Sequence, residues 1–150
     1  MKRLVHNARV LVTDGGRATV FRNIGQPGKP QLEQVRVYGH ANPPSREQGS
    51  DKPPRVNDPS GRRSTIEPTD YHQQAEDRFV QQIAADMDRD LKAGEYTELV
   101  VAAPPLALGV YRKAVSAQVA KVTLMEINKD LTKHPASEVA LIVVKTLEGD

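Results

Sequence analysis

Asp14, Glu76 and Glu138 are the carboxylates that could serve metal-assisted cleavage of a phosphodiester, a reaction that needs acids clustered about two ions ~4 Å apart. The order of residues argues against that chemistry. Asp14 falls in the turn-like Asp14-Gly15-Gly16 rather than mid-strand, and the apolar run at 99–102 ends in Ala102-Ala103-Pro104-Pro105 with no acid. Residues 99–113, LVVAAPPLALGVYRK, have the strand-to-helix form that cradles phosphate in many α/β proteins. A cradle uses consecutive backbone N–H groups. Pro104 and Pro105 carry none, which leaves the amides of Leu106, Ala107 and Leu108. Proline there reads as a helix opener. His72 and Glu76 stand one helical turn apart, but two ligands make a weak metal site. Cysteine is absent, and no Gly-x-Ser-x-Gly or glycine-rich nucleotide motif occurs. No catalytic residue, metal or cofactor is assigned.

The elements that would position these residues can be read from periodicity. RVLVT at 9–13 is a β-branched strand, and Asp14-Gly15 joins it to RATVFR at 17–22 by a hairpin turn that needs positive φ. QLEQVRVY at 31–38 makes a third strand, with Leu32, Val35 and Val37 nearly alternating. Residues 41–69 hold six of the eleven prolines and almost nothing apolar, so a mobile loop is expected there. From Asp70 to Lys92, Ala75, Phe79, Ile83, Met87 and Leu91 recur every fourth residue, and Gly94 suits the stop. Tyr96–Ala102 reads as a strand buried on both faces. A short helix from Pro105 to Val115, a strand over Val119–Ile127 and a last helix from His134-Pro135 to Leu147 complete the chain, although Ile142-Val143-Val144 is a poor helix run.

The order β-β-β-α-β-α-β-α is that of the ribonuclease H-like fold. With right-handed crossovers it predicts an α/β domain built on a mixed five-stranded sheet in order 3-2-1-4-5, helices on both faces. The whole chain, 1–150, is expected to be one such domain. Strands 1, 3, 4 and 5 would then end at one edge, which gathers Asp14, Arg17, His40, Pro104, Pro105, Lys129, Asp130 and Thr132, with Arg112 further along the helix. Open α/β sheets bind ligands at that carboxyl edge, beside the switch between strands 1 and 4. These residues form the candidate ligand-binding set.

Bulk composition narrows the partners. Net charge is +2, with Lys and Arg outnumbering Asp and Glu 12 to 6 over residues 1–69 and outnumbered 9 to 13 beyond. A basic half can draw an anionic partner such as RNA or a membrane surface. No stretch is apolar enough to span a membrane. MKRLVHNARVLVTD opens with basic residues, but His6, Asn7 and Arg9 interrupt any signal-peptide core, so a cytoplasmic protein is expected.

Four stretches carry a family resemblance: VLVTDGGRATVF at 10–21, QQAEDRFVQQIA at 73–84, LVVAAPPLALGVYRK at 99–113 and EINKDLTKHPASEV at 126–139. In these the chain resembles the bacterial host-attachment proteins, also called proteins required for attachment to host cells. That family is distantly similar to the ribonuclease H-like central domain of archaeal and eukaryotic peptide-release and ribosome-rescue factors. The resemblance implies the same strand order, but no Gly-Gly-Gln release motif occurs, since Arg17 follows Gly16. Two departures stand out. Leu106 replaces the basic residue that commonly follows the paired prolines, and Asn7-Ala8-Arg9 stands where an aromatic often opens the first strand.

These readings lead to a non-enzymatic intracellular binding module whose partner would be RNA or the translation machinery. The alternatives are a factor promoting attachment to host cells, directly or indirectly, and an enzyme acting on a small phosphorylated ligand through Asp14, His40 and Asp130.

Overall fold

In the computed structural model of the chain, residues 3–39 and 67–149 are described, with side chains from residue 73 onward in the first helix. Strands β1 (Arg9–Thr13), β2 (Ala18–Asn23) and β3 (Leu32–Tyr38) are followed by helix α1 (Glu67–Lys92) and β4 (Leu99–Ala102). Helices α2 (Pro105–Ala114) and α3 (Ala117–Lys121), strand β5 (Thr123–Ile127) and helix α4 (Ala136–Gly149) complete the order. The sheet order is β3-β2-β1-β4-β5, as the sequence predicts. β1 pairs antiparallel with β2 and β2 with β3, while β1, β4 and β5 run parallel.

Alternation along the central strands divides the core in two. Leu11, Val20, Leu99 and Val101 face α1, α2 and α3, where they meet Val80, Ile83, Met87, Leu108, Tyr111 and Val119. Val10, Val12, Phe21, Val100 and Ala102 face the other way and meet Val139, Val143 and Leu147 of α4. The β-branched run in α4 is therefore overridden by burial. Burying a side chain such as Val143 or Leu147 is worth about 1.5–3 kcal/mol, against a few tenths of a kcal/mol of helix propensity per β-branched residue.

Four sequence expectations change. The first helix begins at Glu67, so residues 67–69 belong to it rather than to the loop. The rest of the expected loop, residues 41–66, lies outside the described residues. Residues 119–121 are helical rather than extended: Ser116 caps α3 by accepting the Val119 amide, and the strand begins only at Thr123. The strand before the paired prolines begins at Leu99, with Tyr96 buried ahead of it and its hydroxyl donating to the Met87 carbonyl. In β3, Val20 pairs with Arg36 but Phe21 pairs with Gln34, so Val35 is a bulge. That one-residue shift turns Arg36 and Tyr38 toward α1 and leaves Val35 and Val37 exposed.

The shift ties β3 to α1 through polar groups. The Tyr38 hydroxyl donates to Asp86 at 2.6 Å, and Arg36 reaches Asp90 at 2.9 Å. Burial, seconded by the bond to Asp86, pushes the Tyr38 phenol up to about 12, so it stays a donor at any ordinary pH.

Asn23 is the polar pin at the opposite end of the hairpin. It is fully buried, and its side-chain amide donates to the carbonyls of Leu4 and Val5 while its oxygen accepts the amides of Gly25 and Gln31. Gly25 must be glycine, because a Cβ there would stand 2.5 Å from the Lys29 carbonyl oxygen. Replacing Asn23 leaves buried donors and acceptors unmet, at about 1–3 kcal/mol for each such group. Asn23→Ala is expected to lower unfolding free energy in urea by at least ~3 kcal/mol. Asn23→Asp, which keeps the shape but loses both donors, should be nearly as harmful.

Candidate functional site at the carboxyl edge

The hairpin turn after β1 is built by its own side chains. Asp14 Oδ1 accepts the amides of Gly16 and Arg17 at 2.8 and 2.9 Å, and Thr13 Oγ1 donates to the Arg17 carbonyl while accepting the Gly15 amide. Gly15 has φ +96°, the positive value a tight hairpin turn requires at its first central residue. Asp14 is thus largely committed to holding the turn. Its second oxygen lies 3.9 Å from Arg17 Nε.

The corresponding turn after β5 has the same construction. Asp130 Oδ1 accepts the backbone amide and the hydroxyl of Thr132. Burial raises the Asp130 carboxyl, but the two bonds from Thr132, aided by the charges of Lys133 and Arg17, outweigh that and hold it below the ordinary carboxylate range. Arg17 and Lys133 therefore both stand within electrostatic reach of Asp130. Lys129 is exposed in the same turn, its amide bonded to the Ile127 carbonyl.

Between these turns, β4 enters α2 through the two prolines. Pro104 takes the cap position with extended backbone, and Pro105 opens the helix. The Leu108 amide, expected to be open, donates to the Pro104 carbonyl at 2.9 Å. Only Leu106 and Ala107 then present amides at the helix start. Leu106 itself is 72% exposed, an apolar projection beside the paired prolines.

A cleft of about 260 Å³ opens where the hairpin turn, Pro104-Pro105 and α1 meet. Val80, Ala107 and Val110 form its floor, and Asp14, Glu76 and Asp77 stand around it. Gln73 and Asp77 bridge at 2.8 Å. Gln73, Asp77 and the cleft-lining role of Glu76 escaped the sequence reading. The signal was present, since residues 73, 76, 77 and 80 share one helical face.

Of the candidate set, Asp14, Pro104 and Pro105 line this cleft, while Arg17, Lys129, Asp130 and Thr132 lie in the two turns at the same edge. Arg112 is engaged elsewhere, paired with Glu126 of β5 at 2.6 Å. His40 lies outside the described residues. Among the described residues, no three His, Cys, Asp or Glu side chains are grouped to hold a metal ion. No described helix is long and apolar enough to cross a membrane.

Because the Asp130 carboxyl is depressed in the folded state, it contributes stability above its unfolded value, about 3.9. That contribution is lost as pH falls through the lower folded value. An Asp130→Asn variant should therefore show a shallower loss of stability than the parent between about pH 4 and pH 2, measured by urea unfolding at each pH. Asp14→Ala, which frees two amides of the hairpin turn, should cost about 1–2 kcal/mol at neutral pH.

Comparison with known proteins gives a family. No curated protein matches the sequence. Among solved structures, an archaeal translation termination factor, aRF1, is similar over 95% of this chain and 39% of its own, at 12% identity and a TM-score of 0.47. A second archaeal protein is similar over 95% of this chain and 38% of its own, also at 12% identity, with a TM-score of 0.45. The chain thus spans under two-fifths of either structure. The model of the family described as "Protein required for attachment to host cells" matches residues 9–143, which takes in both turns, the paired prolines and all five strands. The chain belongs to that host-attachment family.

Proposed function

We propose that this protein is a non-enzymatic, intracellular binding module of the host-attachment family, in which the whole chain acts as one domain and the carboxyl edge of the sheet meets an anionic partner, RNA. One arrangement carries the reading: exposed Arg17 in the turn after β1, and exposed Lys129 and Lys133 in the turn after β5, stand at the same edge of the sheet although more than a hundred residues apart in sequence. One oxygen of Asp14 accepts two backbone amides and one of Asp130 accepts the amide and hydroxyl of Thr132, while Arg17, Lys129 and Lys133 are exposed. Side chains that already hold turns together are poorly placed to move protons in a reaction, which favours binding over the alternative of phosphate-ester chemistry through Asp14 and Asp130.

Binding through phosphate contacts weakens as salt rises, because each contact releases counterions. Fluorescence anisotropy with labelled tRNA, and co-sedimentation with ribosomes, should show association at ~50 mM salt that falls at least ~10-fold by ~200 mM. Arg17→Glu combined with Lys133→Glu should weaken it further without unfolding the protein. Absence of association with either partner at low salt overturns the reading.

The family description favours a second role, in attachment to host cells. Fractionation of the producing cells separates the two: an intracellular pool supports an indirect effect on attachment, and a surface-exposed pool contradicts the intracellular reading.

A further inference from the structure

Helix α4 is the one described helix packed on the Phe21 and Val100 face of the sheet, and it does not close that face. A groove of about 630 Å³ runs between it and the segment leading into β3. Ala136, Ala140 and Val144 form the helix wall, and Pro30 and Leu32 the opposite one. Leu141 stands at the lip, 66% exposed, although it is large and apolar.

We propose that a second copy of this chain occupies the groove, the two α4 helices packing antiparallel across a two-fold axis near Leu141. An isologous interface needs a projection and a recess on the same surface, and here Leu141 and the groove beside it supply both. The small side chains of Ala136 and Ala140 leave room for the partner's leucine. Ser137, Leu141, Val144 and Glu148 follow the four-three-four spacing of a helix–helix seam.

Charge complementarity selects a second copy over an unrelated helix. Glu138 lies three residues before Leu141 and Lys145 four residues after it, so both flank the same face. When the helix is run antiparallel against itself about Leu141, Glu138 of each copy meets Lys145 of the other, and symmetry makes the contact twice. Among the described residues Lys145 forms no ion pair. Among the same residues Glu138 pairs with His134, which is charged only when protonated. The groove is lined by α4 and the segment leading into β3 and includes none of Arg17, Lys129 and Lys133.

Sedimentation velocity of the full chain from about 1 to 100 µM covers the range in which interfaces of modest size form, and it should show a concentration-dependent monomer–dimer equilibrium. Leu141→Glu, at an exposed position that spares the core, should raise the dissociation constant at least ~30-fold, since the change is counted twice. Glu138→Lys should weaken the dimer by setting like charges opposite each other. Adding Lys145→Glu to it should restore the parental constant to within ~3-fold. Circular dichroism checks that each variant is folded. A parent that stays monomeric throughout overturns the proposal and leaves the groove to a different chain. So does a dimer indifferent to Leu141→Glu, or a double reversal that binds no better than the single one.

Discussion

Two strands at the centre of the sheet carry apolar residues on both faces, and the rest of the structure answers to that constraint. Val10, Leu11 and Val12 of β1, and Leu99 through Ala102 of β4, are each at most 1% exposed. A strand of this kind gains nothing from burial on one side alone, because its alternate residues would remain in water. The chain must therefore supply helices to both faces. Among the described helices, α1, α2 and α3 lie on one side and α4 on the other. Parallel pairing of β1 with β4 follows, since the helices that cover the sheet are also the crossovers that bring each new strand back in the same direction. The gathering of Asp14, Pro104 and Asp130 at one edge is a by-product of that parallelism.

Much of this is legible in the sequence, for a physical reason. Continuous apolar runs such as LVVA, the four-residue recurrence from Ala75 to Leu91, and Asp14-Gly15 all report local energetics that tertiary packing reinforces. The failures occur where a non-local term wins. Val119 alternates with its neighbours as a strand would, yet Ser116 caps a helical turn that points it into the core. Leu32, Val35 and Val37 look like one buried face, but the bulge exposes the two valines and seats Tyr38 against Asp86. No propensity scale registers an insertion into a ladder.

The candidate site was legible by topology and less so by chemistry. Strand order locates the edge. It does not say that Asp14 and Asp130 each hold a turn together through one carboxylate oxygen, that Arg112 pairs with Glu126, or that α1 lends Gln73 and Asp77 to the cleft. At the start of β1 the guanidinium of Arg9 lies 5.9 Å from the centre of the Tyr96 ring and donates to the carbonyl and side chain of Asn7. A flat cation thus lies on an aromatic face at the start of β1.

The bulge at Val35 bears on the solubility of the protein. Among the described strands β3 is at one edge of the sheet, and a straight edge strand carrying exposed valines is a template onto which further chains can add indefinitely. The extra residue breaks the regular spacing of outward amides and carbonyls, and Glu33 and Arg36 place opposite charges on either side of the break. An incoming strand in simple register would leave donors unmatched at Val35. Sheet growth toward a fibril is thus discouraged by one misaligned peptide unit, and Val37 can remain in water without becoming a nucleus for polymerisation.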